Sequence, residues 1–181
     1  PLPMANIMQP HSSQAAFARE MRRHVGPRTL ACMNSGSEAN SLALRIAAVH
    51  AHPSTARVAL TNGFHGRTDG PAHLSHSSWA AYDRHAVHLR SAAPPVILVE
   101  PNDVAGVHMA FDRLERDGTF VEAAMLEPVM GEGRPALALT PAFYRAMRER
   151  VQYQGGLLLV DSVQSGLRCH GVLSIADYPG F

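Results

Sequence analysis

The sequence predicts an α/β domain, a three-layer α/β/α sandwich around a mostly parallel sheet. Two observations carry that expectation. Short apolar runs alternate with segments of helical periodicity along most of the chain. The run Leu157-Leu158-Leu159-Val160 is continuously apolar rather than alternating, which fits a strand covered on both faces. In such sheets ligands gather beyond the carboxyl ends of the strands, so the residues after each strand are the ones to read for chemistry.

The elements follow in order. Residues 11–24 read as a helix after Pro10, and residues 28–33 as a short strand. A helix is expected from about Ser37 to Ala51, with Leu42, Leu44, Ile46, Ala47 and Val49 forming a broad apolar face. Strand 57–61, a turn-rich segment 62–78 and strand 95–99 come next, with Trp79 and Tyr82 in a loop. Helix 103–116 sets Val107, Phe111 and Leu114 on one face, and strand 121–127 leads into a Gly/Pro-rich loop. Helix 141–153 starts after Thr140, an N-cap residue type, with Pro141 at the first helical position. Gly155 and Gly156 end it, and strand 157–161 follows.

Composition narrows the classes. The hydrophobic share of 46% and charged share of 17% over 181 residues suit a folded domain rather than a disordered chain. A net charge of +1 favours neither nucleic acid nor a membrane surface as partner. No apolar run approaches a membrane span, and no signal peptide opens the chain. The two cysteines, Cys32 and Cys169, build no disulfide framework, so a cytoplasmic or mitochondrial setting is expected. All 16 basic Lys+Arg positions are Arg, so no lysine side chain is available for covalent chemistry within these residues. The start at Pro1 and the stop at Phe181 read as an excerpt from a longer protein, truncated at both ends.

Four constellations fall just after strands or at helix starts. Asn34-Ser35-Gly36-Ser37-Glu38-Ala39-Asn40 is a small turn at a helix N-terminus, where free N–H groups and hydroxyls cradle a phosphate; taken alone it reads more readily as a plain Ser N-cap. Gly63-Phe64-His65-Gly66-Arg67-Thr68 gathers an aromatic ring, an imidazole and a guanidinium that suit a flat anionic ligand, or form a polar loop with Phe64 in the core. Glu127-Pro128-Val129-Met130-Gly131-Glu132-Gly133 sets a carboxylate on a rigid loop, beside a ligand or simply ending a strand. Asp161-Ser162-Val163-Gln164-Ser165-Gly166 places an acid at the end of a buried strand. That is costly unless a cation or hydrogen bonds satisfy it. A protonated pyridine nitrogen would be such a partner, and loop backbone would be the plainer one.

In this order the four segments resemble the class III (ornithine, acetylornithine and 4-aminobutyrate type) aminotransferases of the fold type I pyridoxal-phosphate superfamily, from about Met33 onward. The family's SGSEAN stretch stands at Ser35 to Asn40, its aromatic-HGRT loop at Phe64 to Thr68, its EP-x-x-GEGG loop at Glu127 to Gly133, and its DEVQ strand end at Asp161 to Gln164. The resemblance implies pyridoxal 5'-phosphate as cofactor, with Gly36 and Ser37 on its phosphate and Phe64 stacked on its ring. It puts Asp161 at the ring nitrogen and Gln164 near the ring oxygen. Arg67 and Glu127 would meet substrate, with Glu132 farther out. Transfer of an amino group from an amine or amino acid to a 2-oxo acid, by a homodimer, is the implied activity. The Schiff-base lysine is expected beyond Phe181. Departures from the family pattern are Ser162 for Glu, Met130 for Gln, Arg134 for Gly and Cys169 for Arg. They keep two alternatives open: a relative with another reaction on the same cofactor (amino-group migration, epimerisation, elimination), and a non-catalytic binding protein.

The remaining groups read plainly. Eleven histidines, with His50 near His52 and His73 near His76, lack the Cys or carboxylate partners of a metal set. Arg19, Arg22 and Arg23 read as a solvated helix face.

Overall fold

The computed structural model describes residues 12–25, 31–50, 52–85 and 93–166. Four strands, β1 (Thr55–Leu60), β2 (Val96–Val99), β3 (Phe120–Leu126) and β4 (Leu157–Val160), form one sheet in the order β2-β1-β3-β4. Every pairing is parallel, with Leu60 beside Val99, and Leu126 beside Val160. The chain therefore winds outward from β1 in both directions.

Helices cover both faces, as a parallel sheet requires. On one face α2 (Gly36–Ala47) and α3 (Asp69–Leu74) pack Leu44, Ala47 and Leu74 against Ala59, Ala123 and Met125. On the other, α5 (Val104–Arg116) and α6 (Pro141–Tyr153) bury Val107, Phe111, Phe143 and Met147 against Val58, Leu60, Ala124 and Leu126. This is the predicted three-layer sandwich. Two further helices, α1 (Ser12–Val25) and α4 (Trp79–His85), complete the described α-helices. Arg19, Arg22 and Arg23 are exposed on α1, with Arg23 paired to Glu20 at 2.9 Å.

Local signals set the helix ends. Ser35 Oγ accepts from Glu38 N at 3.2 Å, while Glu38 Oε2 accepts from Asn34 N at 2.9 Å, a reciprocal cap on α2. Asp103 caps α5 through Gly106 N (2.9 Å), so the predicted helix 103–116 begins one residue later. Thr140 caps α6 through Phe143 N (3.3 Å), as its residue type indicated.

Several expectations are corrected. Residues 31–33 of the expected strand 28–33 are irregular, and residues 28–30 lie outside the described residues. Two residues leave the expected apolar face: Ile46 (53% exposed) points to solvent from within α2, whose buried stripe runs through Leu44 and Ala47, and Val49 (75%) falls in the 3-10 turn Ala48–His50 that follows the helix. The segment 62–85 is not all loop. It holds α3 and α4, helices too short to show a full hydrophobic period in sequence. The Leu157–Val160 run is half-buried rather than covered, because β4 pairs with β3 alone among the described residues.

Candidate active site

The parallel sheet delivers three loops to one edge. β1 runs into Asn62 and Gly63, β3 into Glu127 and β4 into Asp161, while α2 presents its N-terminus to the same place. The loop after β1 turns sharply, with Asn62 at φ 61° and its N–H donating to His76 Nδ1 at 2.8 Å. That turn sends Phe64 and His65 back over the sheet edge.

Asp161 is the centre of this edge. It is 7% exposed and takes three N–H donors. Asn40 Nδ2 donates to Oδ2 at 2.8 Å, His65 Nδ1 lies 2.9 Å from the same oxygen, and Val163 N donates to Oδ1 at 3.0 Å. Burial alone would push this carboxyl up. The hydrogen bond and field of His65, with the Val163 N–H and the Asn40 amide, outweigh burial and hold it below its usual range. Asp161 is therefore a carboxylate at neutral pH, with lone-pair capacity left over after three donors.

The start of α2 is clasped to the loop after β1. Ser37 Oγ accepts from Arg67 N at 3.1 Å, Thr68 Oγ1 donates to Ser37 O at 3.1 Å, and Ser41 Oγ lies 2.7 Å from Thr68 Oγ1. Gly66 makes this approach possible: at φ 122° a Cβ there would sit 2.9 Å from Ser37 Cα. Gly36 is equally confined, since a Cβ would meet both Val163 methyls at 2.8 Å. Glu38 N is used by the Ser35 cap and Ala39 N by Ser35 O, so the N–H groups of Gly36 and Ser37 precede the first intrahelical bond.

The predicted residues Gly36, Ser37, Phe64, Asp161 and Gln164 all line one cleft of about 140 Å³. Arg67 does not; it is exposed and borders an adjoining groove of about 910 Å³ that also holds Arg45 and Asp69. Glu127 does not line the cleft either. Its oxygens accept from Phe64 N and Gly131 N, each at 2.9 Å, and at 2% exposure burial pushes its carboxyl up. It holds the loop that carries Phe64. Glu132 lines neither space.

Sequence assigned no role to Asn40 and read His65 only as part of a loop for a flat anionic ligand. Asn40 and His65 both sit inside the quoted motifs, but their partner lies 121 and 96 residues away, which local pattern does not reveal. Of the departures, Met130 is 1% exposed within the α5–α6 core, so its apolar character serves packing. Arg134 pairs with Glu100, and Cys169 lies outside the described residues. No group of three or more His, Cys, Asp or Glu is placed to hold a metal among the described residues.

The donor set fits a flat, phosphorylated ring with a basic nitrogen. Free first-turn N–H groups and the Ser37 hydroxyl suit a phosphate, and the buried anion of Asp161 suits a cationic nitrogen in the same cleft. Fold and site together define an α/β domain with an anion-and-cation cleft at the carboxyl edge of a parallel sheet. The chain belongs to the class III aminotransferase family, whose description, "Aminotransferase class-III", matches residues 3–179. That family uses pyridoxal 5'-phosphate.

The chain is 34% identical over 168 residues to the 2-aminoadipate transaminase of Pseudomonas putida, covering 87% of this chain and 39% of that protein. It is 32% identical over 164 residues to acetylornithine aminotransferase 1 of Bordetella parapertussis, covering 85% and 38%. Among solved structures, the ornithine aminotransferase of Toxoplasma gondii superposes with a TM-score of 0.74 at 26% identity, over 96% of this chain and 40% of that one. The chain spans less than half the length of the curated relatives it matches.

Proposed function

We propose that the full-length protein transfers an amino group from an amine or amino acid to a 2-oxo acid with pyridoxal 5'-phosphate, and that residues 1–181 are part of its cofactor-binding domain. One observation carries the reading: Asn40 Nδ2 lies 2.8 Å from Asp161 Oδ2, so the phosphate-type turn and the strand-end carboxylate share one cleft. When bound, the cofactor supplies an electron sink for the substrate's reacting carbon.

The chain's own residues do the rest. Gly36 and Ser37 grip the phosphate by backbone and hydroxyl donors, and Phe64 covers the ring. Asp161 holds a proton on the ring nitrogen, which keeps the ring electron-poor, and Gln164 approaches the ring oxygen. Arg67, at the mouth of the adjoining groove, is free to meet a substrate carboxylate. Glu127 holds Phe64 in place from behind. The reading carries with it a homodimer, a lysine supplied from outside these residues, and a cytoplasmic or mitochondrial setting.

The test is direct. Full-length protein loaded with the cofactor is offered 2-aminoadipate, acetylornithine or ornithine with 2-oxoglutarate, the donors being those in the relatives' names. Glutamate should form in step with donor consumption. Protein that acquires no visible cofactor absorbance and forms no glutamate with any donor would end the proposal.

A further inference from the structure

The loop that carries Phe64 turns on Asn62, and the Asn62 peptide is held on both sides. Thr61 N still reaches Val99 O at 2.9 Å, so Asn62 is the first residue past the β1–β2 pairing. Its φ of 61° lies in the left-handed region, which a residue with a side chain keeps only where its surroundings fix it. Its carbonyl abuts the loop after β3, since a Cβ on Gly133 would fall 1.9 Å from that oxygen. Its N–H donates to His76 Nδ1 at 2.8 Å. A backbone N–H can donate only to a ring nitrogen that carries no proton, so the imidazole holds its proton on Nε2. His76 heads the 3-10 turn His76–Ser78, and its ring meets that of Trp79 edge to face, with centroids 4.9 Å apart at 85°. Trp79 Nε1 in turn donates to His73 O at 2.9 Å. The next residue, Ser77, donates to Gly63 O from both its N (3.2 Å) and its Oγ (3.1 Å). The 3-10 turn thus grips two consecutive peptides, Asn62 and Gly63, immediately before Phe64.

We infer that His76 is a positioning residue for the cofactor ring, acting through backbone: by accepting the Asn62 N–H it fixes the left-handed turn that aims Phe64 into the cleft. The inference rests on the cofactor reading above and deepens it. His76 does not line the cleft, whereas Phe64 does, together with Gly36 and Ser37. The two sides of the cleft are braced separately. Arg67 N and Thr68 Oγ1, at the far end of the loop, clasp the phosphate-type turn at Ser37. His76 and Ser77 hold the near end, which carries the aromatic ring. Glu127 Oε1 accepts from Phe64 N at 2.9 Å but makes no bond to the Asn62 N–H, whose residue reverses the chain. Loss of the His76 acceptor therefore loosens the ring side of the cleft and spares the phosphate side.

The test separates the two sides with two ligands. Pyridoxine 5'-phosphate keeps the ring and the phosphate but has no aldehyde, so its affinity reports these contacts without covalent attachment. Inorganic phosphate reports the phosphate side alone. The Kd of each is measured by equilibrium dialysis on cofactor-free full-length protein. Asn can set its amide oxygen near the position of His Nδ1 and accept the same N–H, whereas Gln sets its oxygen near Nε2. His76→Leu and His76→Gln should each raise the Kd for pyridoxine 5'-phosphate about fivefold, the scale of one lost neutral hydrogen bond. Both should leave the Kd for inorganic phosphate within about twofold of the parent, and His76→Asn should stay within about twofold for both ligands. If the Leu variant does not fold, as judged by thermal melting, the Gln and Asn pair decides. Gln matching the parent on both ligands, Gln weakening both equally, or Asn failing as badly as Gln overturns the inference. A parent that does not bind pyridoxine 5'-phosphate sinks the functional reading itself, a result distinct from a binding parent with indifferent variants.

Discussion

Asn40 donates its side-chain amide to Asp161 at 2.8 Å, tying the second turn of α2 to the end of β4 across 121 residues of chain. Asp161 thus enters the folded state with its ionised form favoured. Its folded pKa lies below the usual 3.8, so the stability it contributes is present above that value and is lost as pH falls through the depressed one. Glu127 works oppositely. Burial raises it above its usual 4.5, so its contribution favours the fold at low pH and is lost as pH rises through the raised value. Urea unfolding of full-length protein across pH 2 to 5 should show a steep acid limb below about pH 4. Asp161→Asn should flatten that limb, and parallel curves for the two proteins would refute the assignment.

Gly66 faces Ser37 with no room for a side chain. At φ 122° an alanine is strained whatever the space, and its Cβ would also collide with Ser37 Oγ. Gly66→Ala should cost about 2 kcal/mol of stability. It should also weaken binding of inorganic phosphate, because relief of the collision moves Ser37. Unchanged phosphate affinity in a folded variant would show that the clasp does not position the turn.

How far the sequence reaches can be judged from these same residues. The turn 35–40, the Phe64 loop and the acid at 161 are legible because each is a local pattern at a strand end or helix start. The strands are legible because apolar runs bounded by Gly, Pro and Asn have few other readings. What stays hidden is whatever depends on distant partners. Glu127 reads as a ligand-facing acid, yet it is consumed by the backbone of Phe64, a residue 63 positions earlier. Trp79 reads as loop for another reason: the seven residues of α4 are too few to show a full hydrophobic period.

Gly131 and Gln164 meet over the cleft. A Cβ on Gly131 would overlap the end of the Gln164 side chain, a flexible group that can swing away. Gly131→Ala should therefore cost little stability, about 1 kcal/mol or less, yet expel Gln164 from the cleft. Its effect on cofactor affinity should match that of Gln164→Ala, and the double variant should be no worse than either single one. Additive losses in the double variant would show that the two residues act separately.

Arg57 and Glu122 form an ion pair within the sheet, with Arg57 Nε 2.5 Å from Glu122 Oε1 and side chains only 10% and 4% exposed. The strands show these charges in sequence, but only the β1–β3 register, shifted between Ala56 and Arg57, brings them together. Each charge was removed from water on folding, so each depends on the other. Arg57→Leu strands the buried carboxylate and should cost about 3 to 4 kcal/mol. Arg57→Leu with Glu122→Leu removes both desolvation penalties and should recover to within about 1 kcal/mol of the parent. Chemical unfolding of the three proteins at neutral pH decides the matter. A double variant as unstable as the single one would mean that the pair supplies net attraction rather than mutual neutralisation.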